Sequence, residues 1–378
     1  MKIAFLTPEF PHAKTGGSGG IGSSIANLGK GLAGMGHEVS VLVFGQAEDE
    51  IFTDGGITFY RIRNIKLKGL SWWLTRKKIQ RLINRLHGEG KIDVVEAPDW
   101  GGITSYIKTN CPLVIRLHGS DTYFCHLDKR RVKPINFHHE KRALQRANAL
   151  LSVSDYTAKK TRELFKLGRD FTIVPNAVDT GIFTPSGAPK PNEILYFGTL
   201  IRKKGLLELP LIFNEVVKQI PEARLTLLGK DSSDVITGSA STWKLMQPLF
   251  SGEALQRVHY AGPVPYDQMK GKIAMASVCV FPTFAEALPV SWIEAMAMEK
   301  AIVASNIGWA PEVITHEHDG FLASPKNHIE FASYIVMLLR DATLRDSVSG
   351  NARITVMNQF DSLVVVSKNV EFYQKLIS

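Results

Sequence analysis

The sequence predicts an α/β protein of two doubly wound parallel-sheet domains, on three observations. Apolar, β-branched runs alternate with amphipathic stretches along all 378 residues. Several of those runs are apolar throughout, as strands covered by helices on both faces must be. The alternation also restarts. "KIAFLT" opens the chain, and "EILYFGT" at 193–199 follows the Pro/Gly-rich segment 184–191, over a length that suits two ordinary domains.

In the first half the strands are expected at 2–6, 38–44, 57–61, 92–96, 113–118, 149–154 and 172–175. In the second they are expected at 194–197, 224–229, 258–261, 278–282 and 301–304. A helix should start near Ile21. Another carries Ile79, Leu82, Ile83 and Leu86 at i, i+3, i+4 and i+7, the stripe that one helix face buries. Pro289 suits the first position of a helix over 290–298, because its missing N–H costs nothing there. The segment 361–378 places Val366, Val370, Tyr373 and Ile377 at helical spacing. A linker at 184–191 divides the chain into domains 1–187 and 188–360. In open sheets of this kind ligands sit beyond the carboxyl ends of the strands, so the chemistry is sought in those loops.

Composition narrows the class. The chain is 44% apolar and 21% charged, which is globular composition. Cys111, Cys125 and Cys279 form no C-x-x-C pair; that argues against disulfides and a zinc site and for a reducing, cytoplasmic setting. Only four consecutive apolar residues, 3–6, precede Thr7-Pro8, too short a run for a signal peptide, and no run of 18 apolar residues occurs. The net charge of +9 sits in the first half: residues 1–185 hold 27 Lys+Arg against 17 Asp+Glu, whereas 186–378 hold 18 against 19. Such asymmetry suits an anionic partner of the first half. A nucleic acid is the poorer candidate, because no RNP, zinc or helix-turn-helix signal accompanies the charge. In "KLKGLSWWLTRKKIQRLINRL", residues 66–86, Trp72 and Trp73 stand beside Arg76, Lys77, Lys78, Arg81 and Arg85. A basic amphipathic helix with tryptophans suits the surface of an anionic bilayer; the alternative is a helix that packs its stripe and solvates its cations.

Residues 17–22, Gly-Ser-Gly-Gly-Ile-Gly, satisfy the dinucleotide pattern G-x-G-x-x-G. The pattern requires a direct turn from strand to helix and an acidic residue about 20 positions on. Here Pro8 and Pro11 intervene, and the second strand ends in Phe44-Gly45-Gln46. Both requirements fail. What remains is a glycine loop whose N–H groups and following helix favour an anion.

Three strand ends carry further candidates. Strand 113–118 ends at His118-Gly119, placed for a ligand or satisfied by backbone. Gly198 is followed by Arg202, Lys203 and Lys204, cations suited to a diphosphate or to a solvated loop. "PTFAEALPVSWIEAMAMEKAIVAS", residues 282–305, sets Glu286 in a loop and Glu294 eight residues on, within an apolar helix where an ionised group needs a partner. Glu286 suits sugar hydroxyls; the alternative pair is a helix-cap acid and a solvent-facing one. Asp-x-Asp occurs at no strand end, and Glu48-Asp49-Glu50 reads as a solvated turn.

With these residues in place the chain resembles the retaining GT-B glycosyltransferases of family 4. Glu286 and Glu294 match its E-x7-E motif, and the likeness runs through "GGIGSSIANLGKGLAGMGHEVSVL", "LHGSD", "SVSDYT", "IVPNAVDTGIF" and "GTLIRKKG". The resemblance implies two Rossmann-like domains facing across a cleft, with the C-terminal helix crossing back to the first. It implies transfer of a sugar from a UDP- or GDP-linked donor to a saccharide or lipid-linked acceptor, with retention, no cofactor and no divalent metal. By the same resemblance His118 touches the donor sugar and Glu286 holds its hydroxyls. Glu294 binds the ribose and Lys204 the diphosphate. Gly19 and Gly20 approach the diphosphate and acceptor. Leu288, Pro289, Val290 and Ser291 line the phosphate pocket, with Val290 and Ser291 N–H groups donating. Gly262 and Val264 lie near the base.

Two departures stand out. Thr199 replaces the family's arginine, and Arg202 is expected to supply that guanidinium from a few residues on. Pro289 removes one phosphate donor. No carboxylate nucleophile is evident, so a same-face displacement through an ion-pair-like state is implied. The rival readings are a sugar-nucleotide 2-epimerase of the same fold, a nucleic-acid-binding protein and an inactive homologue.

Overall fold

The computed structural model describes residues 1–17 and 19–378, so the G-x-G-x-x-G pattern lies partly outside the described residues, at Ser18. The chain divides into two compact units, Met1–Ala177 with Ser362–Ser378, and Val178–Asp361. The first crossing thus falls at 177/178 rather than at 187/188. Val178 pairs with Asp361 in a short bridge, and Phe183 is buried, so this stretch is already part of the second unit before the Pro/Gly-rich segment begins.

The first unit holds β1 (Lys2–Thr7), β2 (Glu38–Gln46), β3 (Glu50–Asp54), β4 (Ile57–Arg63), β5 (Val94–Pro98), β6 (Leu113–Leu117), β7 (Ala149–Ser152) and β8 (Thr172–Ile173). Their order is β3-β4-β2-β1-β5-β6-β7-β8, parallel except for the β3–β4 hairpin. Alternate residues of β1 face opposite layers. Ala4 and Leu6 join Ile79, Ile83 and Leu86 of α2 (Ser71–Gly88). Ile3 and Phe5 join Ile25, Leu28 and Leu32 of α1 (Gly20–Gly34), together with Val365, Val366 and Tyr373 of the helix Ser362–Ile377. Gly31 permits that last contact, since a Cβ there would stand 2.5 Å from Val366 Cγ2.

The second unit holds β9 (Glu193–Phe197), β10 (Arg224–Leu228), β11 (Val258–Gly262), β12 (Val278–Phe281), β13 (Ala301–Ser305) and β14 (Phe321–Ala323), in the order β11-β10-β9-β12-β13-β14. All neighbours are parallel. Strand order reverses at β1/β5 in one sheet and at β9/β12 in the other. These are the switch points where loops part and leave room for a ligand. The cysteines are free and buried, and among the described residues no helix is long and apolar enough to cross a membrane.

Candidate active site

At the second unit's switch point, the loop after β9 is seated on the loop after β12. Gly205 has φ 74°, and a Cβ there would stand 1.8 Å from the Pro282 carbonyl oxygen; only glycine fits this approach. Phe284 and Ala285 donate their N–H groups to the Lys203 carbonyl at 2.8 and 3.2 Å. This seating brings Lys204 Nζ to 2.9 Å from Glu286 Oε1, with both side chains mostly covered. Below them Tyr196, fully buried, donates its hydroxyl to the Thr199 carbonyl at 3.0 Å.

The helix after β12 runs Val290–Ala297, and Pro289 is its N-cap rather than its first residue. The cause is Pro289's extended ψ of 117°. Among the described residues no side chain caps this helix, so its first N–H groups, which have no intrahelical acceptor, form an anion-favouring end. Trp292, Ile293, Ala295 and Met296 are wholly buried, and Glu294 is 5% exposed. Glu294 Oε1 accepts a hydrogen bond from the Tyr266 hydroxyl at 2.8 Å. Burial pushes the Glu294 carboxyl up to about 7, against the pull of the Tyr266 hydroxyl and the Lys204 charge. Lys204, Glu286 and Glu294 therefore share one electrostatic environment. Gly262, at φ 74°, and Val264 lie on the segment that leads from β11 to Tyr266.

Arg202 departs from expectation. Its Nε and Nη2 each lie 2.8 Å from an oxygen of Asp234, whose side chain is 2% exposed. Asp234 also accepts from the Thr237 N–H and hydroxyl, and the Arg202 pair holds its carboxyl far below the usual range. A buried carboxylate 32 residues away thus holds the guanidinium, and Lys204 is the cation paired with Glu286.

At the first unit's switch point, His118 follows β6 and is half-buried. Its N–H donates to Asp99 Oδ1 at 2.9 Å. Burial, then the nearby Arg116 charge, pushes the imidazole down to about 3, so the ring is neutral at physiological pH. Asp99, after β5, is 1% exposed, and its Oδ2 has no hydrogen-bond partner among the described residues. Burial raises that carboxyl to about 7, with the Glu140 charge adding to the effect. The glycine loop also differs from expectation. Glu9 Oε1 accepts from Gly19 N–H at 3.0 Å and Gly22 N–H at 3.1 Å, so a carboxylate of the chain itself sits at the N-terminus of α1. Gly20, the first residue of α1, is exposed.

Two family models match this chain: Glycosyltransferase Family 4 over residues 18–181 and Glycosyl transferases group 1 over residues 191–341. The chain belongs to the group 1 glycosyltransferases. This glycosyltransferase is 23% identical to the N-acetyl-alpha-D-glucosaminyl L-malate synthase of Bacillus anthracis, over 100% of its own length and 98% of that protein's. Its fold is that of GT-B glycosyltransferases. It is similar to the sucrose-phosphate synthase of Thermosynechococcus elongatus, with TM-score 0.80, 20% identity, and 100% and 99% of the two chains covered. It is also similar to Anabaena HepE in complex with UDP and glucose, with TM-score 0.76, 19% identity and both chains fully covered.

Among the described residues of the glycosyltransferase no three His, Cys, Asp or Glu side chains stand together as metal ligands. Glu48 and Asp49 lie exposed in the bend between β2 and β3, whereas Glu50 opens β3 and pairs with Lys14 and Arg61; Asp49 pairs with Lys78. Four residues near the candidate positions escaped the sequence reading: Glu9, Asp99, Asp234 and Tyr266. Each acts on a partner distant in the chain, so no local spacing signals it.

Proposed function

We propose that this glycosyltransferase moves a sugar, with retention and without a divalent metal, from a UDP- or GDP-linked donor to a saccharide or lipid-linked acceptor of a cell-surface polysaccharide or glycolipid. The observation that carries the reading is the Lys204–Glu286 pair, with buried Glu294 in the uncapped helix beside it. Negative charge grows on the leaving diphosphate as the glycosidic bond breaks. Lys204 and the Val290 and Ser291 N–H groups oppose that charge where it develops. Glu286 holds hydroxyls of the donor sugar, and Glu294 accepts from the ribose. Leu288 and Pro289 shape the phosphate pocket, Gly262 and Val264 border the base, and Gly20 approaches the acceptor. His118, with its ring neutral, touches the donor sugar. The UDP held by Anabaena HepE supports a nucleotide donor.

Exposed Leu67 and Leu70 just before α2, with Trp72 and Trp73 in its first turn, support contact with an anionic membrane surface. Two of the cations counted toward that contact are otherwise engaged. Arg76 is buried and donates to Gly102 O, and Lys78 is paired with Asp49.

A thermal-shift panel of UDP-, GDP- and ADP-sugars tests the donor. A ligand at 100 times its Kd stabilises the fold by about 2.7 kcal/mol, and no shift with any of them sinks the reading. Turnover should persist in EDTA and the product should keep the donor's anomeric configuration by NMR; chelator inactivation or inversion overturns the corresponding clause.

A pH dependence follows from Glu294. Its carboxyl titrates at about 7, and ribose hydroxyls donate to the ionised form. Binding therefore favours loss of the proton, and nucleotide affinity rises with pH. Between pH 6 and pH 8 Kd should fall about tenfold. Glu294→Gln should bind more weakly, with a flat pH profile by calorimetry.

A further inference from the structure

We propose that the groove between α2 and the β3–β4 hairpin holds one hydrocarbon chain of an amphiphile whose anionic phosphate head is met by Arg81 and Arg85. The proposal extends the membrane-surface reading above, from a face that touches lipid to a site that takes up one lipid chain.

The groove measures about 530 Å³, within the range of small-ligand sites. Tyr60, Ile62, Ile65 and Leu82 line it, with Ile51 at its mouth, 62% exposed. The charges on its rim do not cancel. Lys78 Nζ lies 2.6 Å from Asp49, and Lys14 and Arg61 each lie 2.5 Å from Glu50, so both rim carboxylates are neutralised. Arg81 has no ion pair among the described residues, and Arg85 has only Glu89, 3.9 Å away at the surface.

An apolar lining beneath Arg81 and Arg85, the latter sharing Glu89 with the nearer Lys91, matches a molecule with a hydrocarbon tail and a phosphate head. A wholly polar ligand would leave the lining unmatched, and a wholly apolar one would leave the arginines unused. The groove runs along the same helix that carries exposed Trp72 and Trp73 at its start. A bilayer phospholipid and a lipid-phosphate acceptor share this chemistry.

The test titrates the whole protein with monomeric alkyl phosphates of rising chain length, read by calorimetry. Affinity should rise about fourfold per methylene until the groove is full, from ~0.8 kcal/mol per buried CH₂. Leu82→Trp should abolish that dependence. Arg81→Ser with Arg85→Ser should weaken binding about 30-fold at low salt, from ~1 kcal/mol per cation. Nucleotide-induced stabilisation, unchanged in each variant, shows that they fold. Affinity independent of chain length, or indifferent to Leu82→Trp, overturns the proposal. Displacement by polyprenyl phosphate identifies an acceptor-type lipid and displacement by short-chain phosphatidylglycerol a bilayer lipid; displacement by neither also overturns it. Trp72→Ser with Trp73→Ser, tested on phosphatidylglycerol vesicles, judges the membrane-surface reading separately, because the alkyl phosphates need no bilayer.

Discussion

Lys204→Ala lowers kcat/KM for sugar transfer by about 10²–10³, the loss found when one donor to developing charge is removed. Lys204 is the cation paired with Glu286 at the β9–β12 switch point, where Arg202 is committed to Asp234. Its charge also opposes the ionisation cost of buried Glu294. If Lys204 acts mainly on the leaving diphosphate, kcat and kcat/KM fall together. If it only steadies Glu286, Lys204→Ala with Glu286→Gln recovers part of the loss, because the neutral amide no longer needs a cation; the remainder is what the Glu286 carboxylate itself contributes at the donor hydroxyls. Lys204→Arg should restore part of the rate, since the charge remains although its geometry changes. Steady-state kinetics on the four proteins decides, and a wild-type kcat in Lys204→Ala would remove this residue from the reaction.

Arg116→Met destabilises the first unit by about 3–5 kcal/mol, the cost of leaving a buried carboxylate without its cation. Arg116 Nε and Nη2 donate to Glu96 at 2.7 and 3.0 Å, and both residues are about 3% exposed. The same guanidinium donates to Val174 O at 3.3 Å and to Asn369 Oδ1, and the Tyr373 hydroxyl donates to Glu96 Oε2 at 2.7 Å. Burial alone would favour a neutral Arg116; Glu96 beside it more than reverses that and holds the guanidinium charged. The network ties the helix Ser362–Ile377 to β5 and β6. The first unfolding transition should drop by roughly 6–20 °C for a unit of this size. Arg116→Met with Glu96→Leu should recover much of the loss, because no lone charge is left inside. Scanning calorimetry of both variants tests this, and equal damage in single and double variants would assign the cost to packing instead.

Much of this fold was legible because parallel strands buried on both faces read as apolar runs: "VCVF" and "AIVAS" announce β12 and β13 directly. β3 was missed because "EIFTD" is mostly exposed and carries two carboxylates; the Asp54-Gly55-Gly56 turn was the signal available. β14 has three residues, too few for a period to show. At the site, Glu286 and Glu294 stood out because both lie on one strand–loop–helix segment. The engagement of Arg202 did not, since Asp234 lies on the segment after β10 and only the folded sheet brings the two together. Nor did Glu9, whose bond to Gly19 and Gly22 fills an anion-favouring end that the glycine pattern alone leaves open.

The helix Ser362–Ile377 belongs to the first unit yet is encoded after the second. On the ribosome, where domains generally fold as units, Val178–Asp361 can close its core as soon as it emerges. The N-terminal unit must meanwhile wait with Ile25, Leu28 and Leu32 lacking the partners that Val365, Val366 and Tyr373 supply. Maturation therefore runs opposite to the order of synthesis, and the interval in which that greasy flank stays bare is when a nascent chain most needs a chaperone.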